Sequence, residues 1–263
     1  MFKVHVVTGW SGIGGSTEIL INLTNTLNKA GIFATMYGSQ PYFLGKCKSA
    51  MMNLFTFDKN DVLIFHFCKP AIKLKPKKII LALHEKALFQ ISNMEQFWDV
   101  CVFSNQKHRD YHCGYRGAFE IIPNLKENFK PTDKTGLEKV AGIIGSVDAN
   151  KQQHVSIERA LKEGMEKIFI FGSISDKDYF DNKVYPLLDG EKVIYVGYEN
   201  NKQKIYSQIG CVFHSSLSEC ASLVVDECFS TNTKFYGLPS CTHEVSKLSN
   251  KEIINKWIKL IND

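Results

Sequence analysis

Short apolar segments, each followed by a loop and then a helical stretch, govern what this chain can fold into. Residues 2–7, 32–37, 61–67 (DVLIFHF), 78–83 (KIILAL) and 100–103 read as strands, and AFEIIPN, closed by Pro123 and Asn124, reads as a further one. Strands this apolar bury both faces, and their alternation with helices calls for parallel sheets covered on both sides. The sequence turns polar from Leu125 to Gly136, with Pro131 and Gly136 inside it, which marks a linker. The pattern then resumes with strands at 140–144, 167–171, 192–196 and 211–214 and another from Phe235. The expected organisation is α/β throughout, in two domains, 1–134 and 135–263. At 263 residues and 44% hydrophobic, the chain has apolar material for one large core or two small ones. A last helix, about 251–261, places Ile253, Ile254, Trp257, Ile258 and Ile261 on one side. It either caps the second domain or crosses back to the first.

The first strand runs into GWSGIGGSTE, and Ile19, Leu20, Leu23 and Leu27 then mark a helical face. A phosphate-binding loop of the NTPase type needs a lysine where Gly15 stands, and a dinucleotide fingerprint needs a third glycine where Thr17 stands. Both readings fail. What remains is a glycine loop in which Gly14 and Gly15 permit close approach of a ligand, or a tight turn without one. The start of the chain shows no cationic segment followed by an apolar stretch, and no apolar run approaches a membrane span, so neither secretion nor a spanning helix is expected. Eight scattered cysteines without CxxC pairs fit reduced thiols and a cytoplasmic location. The net charge of +5 is modest, and no nucleic-acid partner is expected. The one dense basic run, KLKPKK at 73–78, is either a solvated turn or an attraction for an anionic membrane or acidic acceptor.

Chemistry concentrates at strand ends, where ligands of open α/β sheets gather. His84 ends KIILAL, with Glu85 and Lys86 beyond it, and His66 is similarly placed. Each is a structural imidazole or a ligand contact, and His84 is the better functional candidate because the glycine loop opens on the same sheet edge. His108, His112 and Cys113 lack a second cluster at zinc-ligand spacing and read as part of a solvent-facing helix. Lys151 sits near a helix N-terminus just after a strand, as a diphosphate clamp would. The stretch CVFHSSLSECASLVVDECFSTNTKFY reads as strand, polar turn and helix, with Glu219 in the turn and Glu227 in the helix. Free backbone N–H groups at the helix start attract anions, so two carboxylates flanking them suit a nucleotide sugar; otherwise they are solvated surface charges.

Taken in order, these pieces resemble the retaining glycosyltransferases of GT-B architecture, and in particular glycosyltransferase family 4. ECASLVVDE is similar to that family's Glu-x7-Glu element, GIGGSTE to its Gly-Gly-x-Glu loop, and LALHE to its strand-end histidine. SNQKHRDYHCGYRGAFEIIPN is similar to the segment closing its N-terminal domain, and GSVDANK to its Gly-Arg-x-x-x-x-Lys segment. The resemblance implies two Rossmann-like domains with an inter-domain cleft, acceptor side first and donor side second. It also implies metal-independent transfer of a sugar, with retention, from a nucleoside diphosphate sugar to a glycan or glycolipid at the cytoplasmic face of a membrane, without a cofactor. On this reading Lys151 binds the diphosphate, Glu219 the donor sugar and Glu227 the ribose. Gly14 and Gly15 lie beside the reacting phosphate, and His84 contacts the sugar or orients the reacting groups. The amides at Ser222 and Leu223 stabilise the leaving diphosphate. Two departures bear on donor affinity: Ser146 replaces the family's arginine, and Ala221 and Ser222 replace its aromatic-glycine pair. Two alternatives share the architecture: a nucleotide-sugar-binding protein that transfers nothing, and a nucleotide-sugar epimerase.

Overall fold

The computed structural model describes residues 2–68, 72–84 and 97–263. It divides into two compact units, Met1–Leu125 with Ser246–Asp263, and Lys126–Val245. The first holds a sheet of β1 (Val4–Thr8), β2 (Ala34–Gly38), β3 (Ser49–Met51), β4 (Val62–His66), β5 (Lys78–Ala82), β6 (Val100–Phe103) and β7 (Phe119–Ile121), in the order β3-β2-β1-β4-β5-β6-β7. Every pairing in it is parallel. β1 and β4 are buried at every position, which is why their sequences show no apolar-polar alternation. Helix α1 (Gly15–Lys29) buries Leu20, Leu23, Thr24 and Leu27 against this sheet's core. Asn28 closes it onto β2, its Nδ2 donating to the Ala34 carbonyl at 2.8 Å and its Oδ1 accepting from the Ala34 N–H at 3.2 Å.

In α2 (Gln106–Tyr111), Asn105 caps the start by accepting from the His108 N–H. Its histidines depart from the expected solvent-facing helix. His108 and His112 are buried beside the Phe103 ring, because the helix packs them onto β6. Only Cys113 of the three is exposed.

The second unit contains β8 (Val140–Ile144), β9 (Lys167–Phe171), β10 (Val193–Gly197), β11 (Cys211–His214) and β12 (Lys234–Gly237), ordered β10-β9-β8-β11-β12 and parallel throughout. Its helices are α3 (Gln153–Lys162), α4 (Lys177–Tyr179), α5 (Lys202–Ser207) and α6 (Leu223–Ser230). α4 does not continue as one helix but gives way to a π turn over Phe180–Val184 and a 3₁₀ turn over Tyr185–Leu187 containing Pro186. Both sheets share one order in their first five strands, third-second-first-fourth-fifth, so each has a topological switch point between its first and fourth strands.

Two boundaries fall elsewhere than the composition suggests. The polar stretch after Leu125 belongs to the second unit rather than lying between domains. Thr132 Oγ1 donates to the Thr231 carbonyl at 2.9 Å, Lys134 Nζ to the Tyr206 and Ile209 carbonyls at 2.5 and 2.9 Å, and the Lys130 N–H to Gln203 at 2.8 Å. The last helix, α7 (Asn250–Asn262), returns to the first unit, where Ile253, Ile254, Trp257 and Ile261 join the core that includes α1. Ser249 and Glu252 form a capping box at its start. Part of the basic run serves its end: Lys77 Nζ donates to the Ile261 and Asn262 carbonyls, and Lys78 Nζ to that of Leu260. Among the described residues no helix is long and apolar enough to cross a membrane.

Candidate active site

In the second unit the chain leaves β8 at Gly145 and β11 at His214, the two strands of the switch point. The turn after β8 is tight. Gly145 has φ of 138°, and a Cβ on Gly172 would lie 1.9 Å from the Gly145 carbonyl oxygen, so glycine is required there. Asp148 holds the rest of this connection in shape, accepting from Ser146 Oγ at 2.6 Å and from the Lys151 N–H at 2.9 Å. This sends Lys151 to the turn after β11, where its Nζ meets Glu219 Oε1 at 2.5 Å. The same oxygen lies 3.0 Å from His214 Nε2. Burial alone would push the Glu219 carboxyl up, but the His214 hydrogen bond and the Lys151 charge outweigh it. They hold the carboxyl at about 2, against an ordinary 4.5. Three residues further, Ser222 is the N-cap of α6; the Val225 N–H bonds to its carbonyl at 3.1 Å, and among the described residues no side chain caps the N–H groups of Leu223 and Val224.

Glu227, one α6 turn on from Leu223, is only 6% exposed, and each of its oxygens is claimed. Oε1 accepts from Lys202 Nζ at 2.8 Å and Oε2 from the Tyr206 hydroxyl at 2.6 Å. Lys202 also pairs with Glu127. Burial opposes the lysine charge, but Glu227 and Glu127 outweigh it and raise its pKa; burial and Glu227 together push the Tyr206 hydroxyl well up.

In the first unit the glycine loop leaves β1 at that sheet's switch point. Thr8 Oγ1 and His66 Nδ1 are 2.8 Å apart across β1 and β4, so the buried His66 imidazole is hydrogen-bonded within the sheet. Ser11 is fully buried, its Oγ donating to the Gln40 carbonyl and accepting from the Gln40 N–H. At Gly12 a Cβ would lie 2.7 Å from Gln40 Oε1 and 3.0 Å from the Trp10 ring, so a larger residue would make those side chains shift. Gly14 is different. It caps α1 with an extended backbone open to any residue, and among the described residues a Cβ would meet only Trp10 Nε1 at an ordinary 3.8 Å. Gly15 is the first residue of α1. His84 follows β5, with its ring 5.2 Å from that of His66, and lines a small cavity with Ile19, Leu23, Ser104, Asn124 and Trp257. Glu85 and Lys86 lie outside the described residues.

The sequence matches no family model and no curated protein. Solved structures do match across the whole chain. HepE from Anabaena, determined in complex with UDP-glucose, superposes with a TM-score of 0.71 at 12% identity, covering 100% of this chain and 90% of that one. TarM gives a TM-score of 0.73 at 12% identity over 100% and 91%. AviGT4, a glycosyltransferase involved in avilamycin A biosynthesis, gives 0.62 at 16% identity over 98% and 88%. The fold is GT-B. Its two Rossmann-like sheets each have a topological switch point, and Lys151 and Glu219 stand on the two connections that leave the second one.

Within the second GT-B unit, Lys151, Glu219, Ser222, Leu223 and Glu227 come from the β8 and β11 connections, and Lys151 and Glu219 are in direct contact. Neither Glu219 nor Glu227 is a solvated surface charge. Gly14, Gly15 and His84 belong to the first unit. Sequence reasoning missed His214, Lys202 and Tyr206. His214 closes an apolar strand where the next residue turns polar, a signal that was available. Lys202 and Tyr206 lie four apart on one face of a helical segment, but nothing in that spacing points to Glu227.

Proposed function

We propose that the protein is a retaining glycosyltransferase that moves a sugar from a nucleoside diphosphate sugar to a glycan or glycolipid acceptor, without a metal ion. The observation that carries the reading is the meeting of Lys151 and Glu219 at the β8/β11 switch point, beside the uncapped start of α6. A lysine and a helix N-terminus together neutralise a diphosphate and stabilise the charge that develops as it leaves. Glu219, ionised, accepts from sugar hydroxyls. Glu227 keeps a second lone pair on each oxygen, so a ribose diol bonds to it without displacing Lys202 or Tyr206. Among the described residues nothing crowds a Cβ at position 14, so the start of α1 leaves room for a ligand beside Gly14. His84 is assigned a role toward the reacting groups in the same proposal, and association with a membrane surface follows from the acceptor class.

The test is calorimetric titration with UDP, GDP, ADP and their sugar conjugates, followed by donor hydrolysis and transfer assays with and without EDTA. The UDP-glucose complex of HepE makes the uridine series the first choice. One nucleotide series is expected to bind, Lys151→Met to weaken it about tenfold, and the sugar released to keep the donor's anomeric configuration with EDTA present. Binding of no nucleotide diphosphate overturns the proposal. A second reading, a protein that binds the donor without transferring it, is favoured by Ser146, which bonds to the carboxylate of Asp148 where the resembled family has a cation. Donor binding with no turnover on any acceptor would select it.

A further inference from the structure

The Glu219 carboxylate is held by one oxygen. Oε1 accepts from both Lys151 Nζ and His214 Nε2. These two partners differ in how firmly they are placed. Lys151 reaches over on a partly exposed, flexible stem, its side chain 24% exposed. The His214 side chain is 3% exposed and belongs to the last residue of β11, paired in register with Gly237 of β12. Arg159 of α3 fixes the chain at that point, donating to the His214 carbonyl at 3.3 Å and to Ser215 Oγ at 2.9 Å. An apolar residue would satisfy the burial of this strand end equally well, so packing does not explain the imidazole.

A lysine that turns to a diphosphate gives up at least part of its hold on Glu219. A buried carboxylate deprived of its only partner takes up a proton and ceases to be a good acceptor. We propose that His214 is a positioning residue: its Nε2–H keeps hold of Glu219 Oε1 while Lys151 engages the diphosphate, leaving Oε2 to accept from a hydroxyl of the donor sugar. This rests on the donor-site reading of the β8/β11 edge. A neutral imidazole with its proton on Nε2 is sufficient. The charged and titratable groups facing Glu219 are Lys151 from the β8 connection and His214 from β11, with Arg159 behind the latter on α3.

Two variants separate positioning from packing. His214→Gln retains an N–H donor, and His214→Leu retains only the bulk. In the free protein, carbon-13 titration of the Glu219 carboxyl is expected to move up by about one pH unit or more in the leucine variant and to return most of the way in the glutamine variant. In the binding experiment, the ratio of affinities for the nucleoside diphosphate sugar and the free nucleoside diphosphate is expected to fall about tenfold with leucine and to recover with glutamine. An unmoved Glu219 titration overturns the role of His214 whatever binds, as does an equal loss of affinity for both ligands. Should the leucine variant not fold, the wild-type imidazole nitrogen shifts decide, because a proton on Nδ1 alone overturns the proposal. Wild-type protein that binds no nucleotide overturns the functional reading instead, with the Glu219 titration standing by itself.

Discussion

Two glutamates eight residues apart, Glu219 half-buried and Glu227 buried, are stabilised in opposite ways, and each way makes its own prediction. Glu219 loads two donors onto one oxygen, whereas Glu227 places one donor on each. The folded-state value of Glu219 lies below its unfolded one, so its contribution is fully present above about pH 4.5 and is lost as the pH falls toward about 2. That contribution is on the order of 2–3 kcal/mol. Urea denaturation across this window is expected to show wild type losing more stability than Glu219→Gln, with the two curves parallel above about pH 5. At the other carboxylate, Lys202→Met strands Glu227 with Tyr206 as its remaining partner. We expect a cost of about 2 kcal/mol, of which a further Glu227→Gln change restores part. Additive losses in that double-mutant cycle would show that the pair is not coupled.

At the scale of elements, burial on both faces is what made the strands legible. β1, β4, β6 and β11 are buried at every position and were recognisable as apolar runs. β3 was not, since its three residues are all half-buried at a sheet edge and carry no pattern. The interrupted segment of Lys177–Tyr179, Phe180–Val184 and Tyr185–Leu187 was also missed. Its apolar residues fit a helical face while its hydrogen bonding changes twice. For α7 the apolar face was plain, but which unit it covers is a long-range fact. The basic run held the clue, because Lys77 and Lys78 satisfy the last carbonyls of that helix. Replacing both by methionine is expected to destabilise the first unit by about 1–2 kcal/mol. Trp257→Ala, which empties a buried position in the same helix, is expected to cost about 3–5 kcal/mol. Both are measurable by chemical denaturation with hydrogen exchange read separately in each unit.

For the whole molecule, the two-domain α/β architecture was legible in the alternation of segments, but the order of strands within each sheet was not. The sequence singled out Lys151, Glu219 and Glu227, and the fold brings the first two into contact on the β8 and β11 connections, while Glu227 lies further along α6 against Lys202 and Tyr206. The partners that condition them were not legible. Lys202 and Glu127 are far apart in sequence, and on its own each looks like a surface charge. A donor bound as proposed is expected to protect amides chiefly within Lys126–Val245. At about 100 times its dissociation constant it adds about 2.7 kcal/mol to that unit's stability. Protection confined to the first unit would contradict the placement of Lys151 and Glu219 in the donor site.

The first unit is discontinuous and the second is not. Residues 126–245 are therefore synthesised before the helix bearing Trp257, so the first unit, although it starts first, cannot complete its core until the whole of the second has been made. A chain ended at Val245 and released would contain every residue of the second unit but lack the part of the first unit's core that Ile253, Ile254, Trp257 and Ile261 supply.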